Sequence, residues 1–192
     1  TETVWRQANK YHVPRIAFVN KMDRVGADFD RCVSMMRSRL DASPVPVQLP
    51  WGREDGFRGV IDLVEMRGIA YDDETMGAEY TVTEIPADYA DAAHKMREQM
   101  VEAVSETDDQ LLEKYLSGEE ITNEELRQAL RRATVAGRLH PVICGSAFKN
   151  KGVQPLLDSV VHYLPSPIDL PPIDGIDPDK ATPLKRAPKD DE

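Results

Sequence analysis

Three polar side chains follow directly after a short apolar run near the start of the chain. Asn20, Lys21 and Asp23 come after the run from Ile16 to Val19. Pro14 precedes that run and cannot sit inside a helix. Four consecutive apolar residues are therefore typical of a short strand that is buried on both faces of a parallel sheet. The polar side chains would gather at its carboxyl end, the edge at which open α/β sheets bind ligands.

The types of these side chains favour a guanine base as the ligand. Guanine presents two donors side by side, N1–H and the exocyclic N2 amine, and one carboxylate can accept both. Adenine would point a lone pair at the same carboxylate, and a buried polar group left unpaired rejects the wrong ligand strongly. Asp23 is therefore the candidate for base choice. Asn20 could tie down the loop or reach N7, and the alkyl stem of Lys21 could lie over the base.

A second apolar run, much later in the chain, supplies the other half of such a pocket. Residues 140–145, His-Pro-Val-Ile-Cys-Gly, precede Ser146 and Ala147. Small residues let the backbone approach a ligand closely, and the Ala147 N–H could donate to guanine O6. Two strand ends that each carry half of a guanine pocket predict a single nucleotide site.

The elements between the two runs predict a sheet domain with an insertion. Residues 28–40 have apolar residues at helical spacing with Asp28 as N-cap, as in a βαβ crossover. From residue 44 onward, short apolar runs separated by glycine turns predict a small antiparallel sheet. Three helices follow, the first over residues 87–104 and the others after capping-box patterns at Thr107 and Thr122.

Far more residues separate the two loops than one crossover helix needs, which indicates an inserted unit. We predict that residues 1–43 and 139–166 form the C-terminal part of the parent α/β domain. Residues 44–138 would form an inserted α+β subdomain. The closing helix is expected over residues 153–164, and its inward face is expected to contain Leu157, Val160, Val161 and Leu164.

The two ends of the chain carry weaker patterns. Residues 167–192 are rich in Pro and Asp and lose the apolar period, so they are expected to be a linker or disordered tail leading toward a further domain. The abrupt start at Thr1, without an initiator methionine, indicates a piece excised from a longer protein.

Composition places further bounds on function. The net charge of −10 is concentrated between Glu84 and Glu125, where 13 acidic residues face three basic ones. An acidic segment repels nucleic acid, so DNA or RNA binding through it is disfavoured and a basic protein partner is favoured. No apolar run reaches the length of a membrane span. Cys32 and Cys144 lie in apolar settings without metal spacing, which predicts reduced core thiols and a cytoplasmic protein.

Three strings in the chain go beyond the general guanine-site pattern. They are Asn-Lys-Met-Asp-Arg at 20–24, Gly-Ser-Ala-Phe-Lys-Asn-Lys-Gly at 145–152 and Tyr-Leu-Pro-Ser-Pro at 163–167. With the large insertion, they make nearly all of the chain resemble the elongation factor G family of GTPases, which drive ribosomal translocation. The resemblance implies a partial P-loop-type GTPase fold. It also implies base recognition of GTP or GDP by Asn20, Lys21 and Asp23, with Ser146 and Ala147 completing the pocket.

The same resemblance also indicates what the chain lacks. The phosphate loop Gly-x-x-x-x-Gly-Lys-Ser/Thr does not occur in it. Because GTP hydrolysis depends on positioned phosphates and Mg²⁺, we assign no catalytic residue and no metal ligand here. The intact protein is expected to be a GTPase that uses Mg²⁺, and the 192-residue chain alone is expected to be inactive and to bind GDP weakly.

The insertion has a candidate partner through the same resemblance. In similar factors, an acidic helix of the inserted subdomain contacts the ribosomal stalk protein. The matching stretch is the helix over residues 87–104, with Asp91, Glu98 and Glu102 as candidate contacts on the ribosome. A solvated charged face is the simpler interpretation of the same residues.

Two other functions remain open at this stage. The chain could belong to a related translational GTPase of the ribosome-protection or release-factor type. It could also be a non-enzymatic acidic interaction module in which the Asn-Lys-x-Asp pattern is accidental. The string at 145–152 and the length of the insertion favour elongation factor G over a related translational GTPase. A dependence on nucleotide would distinguish either GTPase from the acidic interaction module.

Overall fold

The structure is a computed structural model that describes residues 1–72, 74–169, 172–178 and 182–188. Its strands are β1 (Ala17–Val19), β2 (Pro44–Pro46), β3 (Gln48–Trp51), β4 (Gly59–Asp62), β5 (Arg67–Tyr71), β6 (Tyr80–Thr83), β7 (His140–Cys144), β8 (Ile173–Ile176) and β9 (Pro183–Arg186). Its α-helices are α1 (Glu2–Lys10), α2 (Phe29–Leu40), α3 (Ala87–Ser105), α4 (Asp109–Ser117), α5 (Asn123–Val135) and α6 (Val153–Tyr163). Within these described ranges, no helix has the length and apolar character that crossing a membrane requires.

A parallel sheet with the strand order β1-β7-β2 carries the two predicted loops. All five residues of β7 are buried, because this strand lies between two neighbours. β1 pairs with β7 from Ala17↔Val142 to Val19↔Cys144 and is only half-buried. The predicted α/β class is confirmed, whereas the predicted burial of β1 on both faces is wrong, because β1 is an edge strand of this sheet.

A second, antiparallel sheet has the order β3-β4-β5-β6. It confirms the short strands predicted after residue 44, with one correction. β2 pairs in parallel with β7 through Pro44↔His140 and Pro46↔Val142, so it belongs to the first sheet. The chain crosses between the sheets at Val47, whose N–H donates to the Val142 carbonyl. Prolines have no N–H to donate and suit the edge of either sheet, so their pattern could not distinguish the two.

The helix starts follow from local hydrogen bonds. The predicted N-cap of α2 is confirmed, since Asp28 Oδ1 accepts from the Arg31 N–H at 2.9 Å. The capping box of α5 at Thr122 is confirmed as well. The cap of α4 is Asp108 and not Thr107, because the Thr107 hydroxyl donates to the Val104 carbonyl at 2.7 Å.

Two clusters of buried side chains pack the helices against both sheets. One cluster joins α3, α5 and the strands, and it includes Ile61, Met100, Leu130 and Ile143. The other lies under α2 and includes Phe29, Val33, Met36, Val60 and Val142. Because each cluster contains residues from both sheets, the two sheets are packed together through a common set of buried side chains.

The inward face of α6 differs from the prediction. Leu157 and Val161 are 60% and 74% exposed, and Val160 is exposed as well. The buried positions are Ser159 and Tyr163. A serine can take a core position here because its hydroxyl donates to the Pro155 carbonyl at 2.7 Å, so the polar atom keeps a partner.

The cysteines also differ from the prediction in part. Cys144 is buried in β7 as expected, and burial raises the pKa of its thiol well above the ordinary value. Cys32 is exposed on α2. Cys32 lies at the edge of the buried stripe of Phe29, Val33 and Met36, on its solvent-exposed side.

Part of the segment predicted as a linker or disordered tail is an ordered hairpin. β8 and β9 pair antiparallel from Ile173↔Arg186 to Ile176↔Pro183. All eight strand residues are exposed, so no face is buried and no apolar period marks the strands in the sequence. Residues 170–171, 179–181 and 189–192 of the predicted tail lie outside the described residues.

Gly145, at the end of β7, allows the Lys151 backbone and the Phe18 ring to approach closely. A Cβ atom there would lie 2.4 Å from the Lys151 carbonyl oxygen and 2.8 Å from the Phe18 ring. We expect Gly145→Ala to lower the free energy of unfolding by about 2 kcal/mol through overpacking. Urea denaturation of the chain would measure this loss. Gly56→Ala is the matched control, because a Cβ atom at Gly56 would meet no atom within 4 Å. Equal stabilities of the two variants would contradict the expectation.

Candidate guanine-recognition site

The parallel pairing of β1 with β7 brings the two predicted loops side by side. Beyond the last paired residues, the Gly145 N–H donates to the Val19 carbonyl at 3.1 Å. The Met22 N–H then donates to the Gly145 carbonyl, also at 3.1 Å. These bonds continue the ladder past the strand ends. The loop with Asn20 and Asp23 is therefore in direct contact with the loop that begins at Ser146.

The side chain of Asn20 bridges the two loops. Its Oδ1 accepts from the Lys21 N–H at 2.8 Å and from the Ala147 N–H at 3.0 Å. Asn20 therefore ties down the loop, which is one of the two roles that its sequence position allowed. The Ala147 N–H is engaged in this bond, so its predicted contact with guanine O6 requires that the N–H turn toward the base or be shared.

Asp23 and Ser146 form the buried floor of the site. They are 8% and 1% exposed. The hydroxyl of Ser146 hydrogen-bonds to the Asp23 carboxylate and is the main cause that lowers the pKa of Asp23. Burial opposes this shift, while the positive charges of Lys149 and Arg24 add to it. Asp23 is therefore held as a carboxylate, the form that accepts two donors.

Lys21 is exposed and has a left-handed backbone, with φ 65°. A left-handed non-glycine residue costs free energy and persists where its surroundings over-determine it. Here the bond from its N–H to Asn20 Oδ1 supports that conformation. The exposed side chain is free to extend along a ligand, so its predicted contact with the face of the base remains a prediction.

Two residues at this site were missed by reasoning from sequence. Glu54, which lies far from the loops in the chain, contacts the Asp23 loop through both its backbone and its side chain. Lys151 is 2% exposed, and its Nζ donates to the Phe57 carbonyl at 2.9 Å. The only signal for Lys151 was its position in the string at 145–152, and Glu54 carries no local signal at all.

The predicted partner residues lie elsewhere, on α3. Asp91, Glu98 and Glu102 are exposed, and their spacing of seven and four residues places them on one helix face. The buried residues of α3 on the opposite side include Met100 and Val104. This acidic face is therefore turned away from the core, and its role as a binding surface remains a prediction.

A cluster of His, Cys, Asp or Glu side chains would mark a metal site among the residues that the structure describes. Among them, no group of three or more His, Cys, Asp or Glu side chains lies close enough together to hold an ion. We assign Mg²⁺ no step in this chain.

The parallel sheet and the converging loops define an α/β domain of the GTP-binding type. The profile of the family described as "Elongation factor Tu GTP binding domain" matches residues 1–166. The chain belongs to this family of GTP-binding domains.

A solved structure supports the same fold. The crystal structure of a protein from Thermus thermophilus is similar, with a TM-score of 0.78 and 33% sequence identity. The similarity covers 92% of this chain and 26% of the Thermus chain. The present chain thus spans about a quarter of the protein that it matches.

The hydrogen bond from Ser146 to Asp23 leads to a titration experiment. We expect Ser146→Ala to raise the pKa of Asp23, because the carboxylate loses its main stabilising donor. A lowered folded-state pKa stabilises the fold above the unfolded-state pKa of about 3.9, and this gain is lost as the pH falls through the folded-state pKa. The variant should therefore be less stable at neutral pH, and the difference should shrink in acid.

Carbon-13 NMR of the Asp23 carboxyl group would follow the titration directly. Ser34→Ala, on the exposed side of α2, is the control and should leave that titration unchanged. An Asp23 pKa that is the same in all three proteins would show that Ser146 does not stabilise the carboxylate.

Proposed function

We propose that the chain is the guanine-recognition part of an elongation factor G, a GTPase that acts on the ribosome during protein synthesis in the cytoplasm. The observation that carries the proposal is the hydrogen bond from the Ala147 N–H to Asn20 Oδ1. This bond links two loops that are far apart in the sequence, at the point where both predicted halves of a guanine pocket meet. Membership in a GTP-binding family supports the same function.

Base recognition then follows from the chemistry of the site. Asp23, held as a carboxylate, accepts N1–H and the N2 amine of guanine. Burial strengthens both bonds and makes a mismatch costly, because an adenine ring would leave the carboxylate facing a lone pair. Asn20 keeps the two loops in register, the Ala147 N–H is shared between Asn20 Oδ1 and guanine O6, and Lys21 covers the base.

Hydrolysis belongs to the intact protein in this proposal. Phosphoryl transfer depends on groups that position the phosphates and neutralise their charge, and Mg²⁺ is one of them in related GTPases. The Gly-x-x-x-x-Gly-Lys-Ser/Thr pattern is not found in residues 1–192. The chain therefore contributes base selection, and we propose that the phosphate chemistry lies elsewhere in the same protein.

We prefer elongation factor G over a related translational GTPase because of the string at 145–152 and the length of the insertion. The side chain of Lys151 is buried against the insertion, at the Phe57 carbonyl. This contact joins the second loop to the large insertion. The string and the insertion are also the two sequence features that distinguish elongation factor G from the related GTPases. A ribosome-protection or release-factor relative remains the second candidate. A purely acidic module without nucleotide binding is disfavoured by the family membership.

The role of Asp23 is tested by changing which base the site prefers. In the full-length protein, Asp23→Asn should weaken GDP binding about 100-fold, because two hydrogen bonds to a charged acceptor are lost or mismatched. Xanthosine diphosphate binding should improve, since the amide replaces one acceptor with a donor. Calorimetric dissociation constants for both nucleotides would measure the change.

Asp28→Asn is the matched control, because asparagine caps α2 as well as aspartate does and leaves the base untouched. It should keep the nucleotide preference of the unchanged protein. An Asp23→Asn protein that still prefers guanine would overturn the proposed function.

We also propose that the acidic face of α3 docks on the ribosomal stalk protein. Asp91, Glu98 and Glu102 are exposed on this face, as a contact with a basic partner requires. The excess of negative charge between Glu84 and Glu125 would steer such a partner toward it.

Reversing charge on this face tests the docking proposal. The double variant Glu98→Lys/Glu102→Lys should slow stalk-dependent GTP turnover about tenfold at low salt, because steering becomes repulsion. Turnover measured over a range of salt concentrations would detect the change. Glu113→Lys/Glu120→Lys carries the same change in net charge on exposed positions outside α3. If both double variants behave like the unchanged protein at every salt concentration, the stalk contact is not on this face.

A further inference from the structure

A short segment of the antiparallel sheet region, residues 52–57, lies against both base-recognition loops. We refer to it as the brace. Its Glu54 N–H donates to the Met22 carbonyl at 3.1 Å. The carboxylate of the same residue accepts from the Gly26 N–H through Oε1 at 2.8 Å. Met22 and Gly26 flank Asp23, so Glu54 holds the loop on both sides of the residue that selects the base.

The brace also holds the second loop. Its Phe57 carbonyl accepts from Lys151 Nζ at 2.9 Å, in a buried position. Lys151 in turn closes the loop onto Ser146, with backbone bonds of 2.8 Å and 3.1 Å in the two directions. One short segment is therefore bonded to both halves of the guanine site.

Three of the seven left-handed non-glycine residues in the described part of the chain lie in these segments. Lys21, Glu54 and Asn150 are non-glycine residues with left-handed backbones, at φ values of 65°, 51° and 54°. They belong to the first loop, the brace and the second loop respectively. Each such residue costs free energy, and the conformation persists only where several contacts fix it.

The brace is a tight turn that is anchored to α3. A Cβ atom at Gly52 would lie 2.0 Å from the Gly56 carbonyl oxygen, so the two ends of the turn touch. The Gly52 N–H donates to the hydroxyl of Tyr89 on α3 at 3.1 Å. Glu54 is thus part of a turn that is hydrogen-bonded to a helix, as a support for a binding group requires.

We propose that Glu54 is a positioning residue that sets guanine selectivity by fixing the Asp23 loop through the Gly26 N–H. This inference rests on the proposed function, since it concerns the selectivity of the same site. Glu54 touches no nucleotide in this mechanism. It acts by removing freedom from the loop, so that the Asp23 carboxylate meets N1–H and the N2 amine without a further entropic cost of ordering the backbone.

Two conservative variants distinguish the effect of the length of the Glu54 side chain from the effect of its charge. Glu54→Gln keeps an acceptor oxygen at the same distance from the backbone and loses the charge. Glu54→Asp keeps the charge, but it is one methylene shorter and falls short of the Gly26 N–H. If the hydrogen bond is what matters, Glu54→Gln should resemble the unchanged protein and Glu54→Asp should resemble Glu54→Ala.

The measurement is the binding of GDP and inosine diphosphate to the full-length protein. Inosine lacks the N2 amine, so it already makes one bond fewer to Asp23 and has less to lose when the carboxylate is misplaced. Glu54→Ala and Glu54→Asp should weaken GDP binding about tenfold. The ratio of the two affinities should fall about threefold, whereas Glu54→Gln should keep this ratio within about twofold.

Asp55→Ala is the matched control, because it removes an exposed carboxylate from the same turn without touching the Asp23 loop. It should leave both affinities unchanged. A loss of fold alone would reduce the binding-competent fraction equally for both nucleotides and would leave their ratio unchanged, and this result would overturn the proposal. Loss of selectivity in Glu54→Gln as large as in Glu54→Asp would also overturn it.

The outcome is separable from that of the proposed function. If Asp23→Asn switches the preferred base while the Glu54 variants keep the affinity ratio, the guanine site stands and the positioning role alone fails. If Asp23→Asn leaves the preference unchanged, the proposed function fails whatever the Glu54 variants do.

Discussion

The parallel pairing of β1 with β7 is the constraint on which the rest of the site depends. Val19 and Cys144 are the last paired residues, and two further backbone bonds continue past them through Gly145. Because each polar loop begins where its strand ends, this register decides which side chains can meet. A shift by one residue would turn the side chains of β1 to the opposite face and separate the loops.

At Asp23, the Ser146 hydrogen bond and nearby positive charges lower the pKa of the carboxyl group, whereas burial raises it. A carboxylate as buried as Asp23 would ordinarily tend to take up a proton. The hydroxyl of Ser146 and the nearby positive charges of Lys149 and Arg24 keep its pKa low. The second loop thereby supports the first electrostatically, in addition to the hydrogen-bonded geometry that brings them together.

The antiparallel sheet and its helices are part of the same packing as the parallel sheet. Val47 links the two sheets through one bond to Val142 and another to Leu63. The brace at residues 52–57 extends this connection to the base loops. The predicted insertion is thus joined to the parallel sheet by core packing and by direct contacts with the candidate site.

The sequence by itself determined the local features of this protein. Alternating and helical apolar periods located most of the strands and helices, Asp28 and Thr122 signalled their own capping bonds, and Asn20 to Asp23 predicted a base-binding loop. These features depend on neighbours within a few residues, and so they can be read along the chain.

Only the tertiary structure decided which surfaces face inward and which distant residues meet. Pro44–Pro46 joined the parallel sheet, Ser159 and Tyr163 displaced Leu157 and Val161 from the buried face of α6, and Glu54 came to lie beside Met22. Each of these outcomes is a contact between segments that are remote in the chain, or depends on one. The reason is physical, because pairing partners and packing surfaces are chosen by the whole core, and no local pattern specifies them.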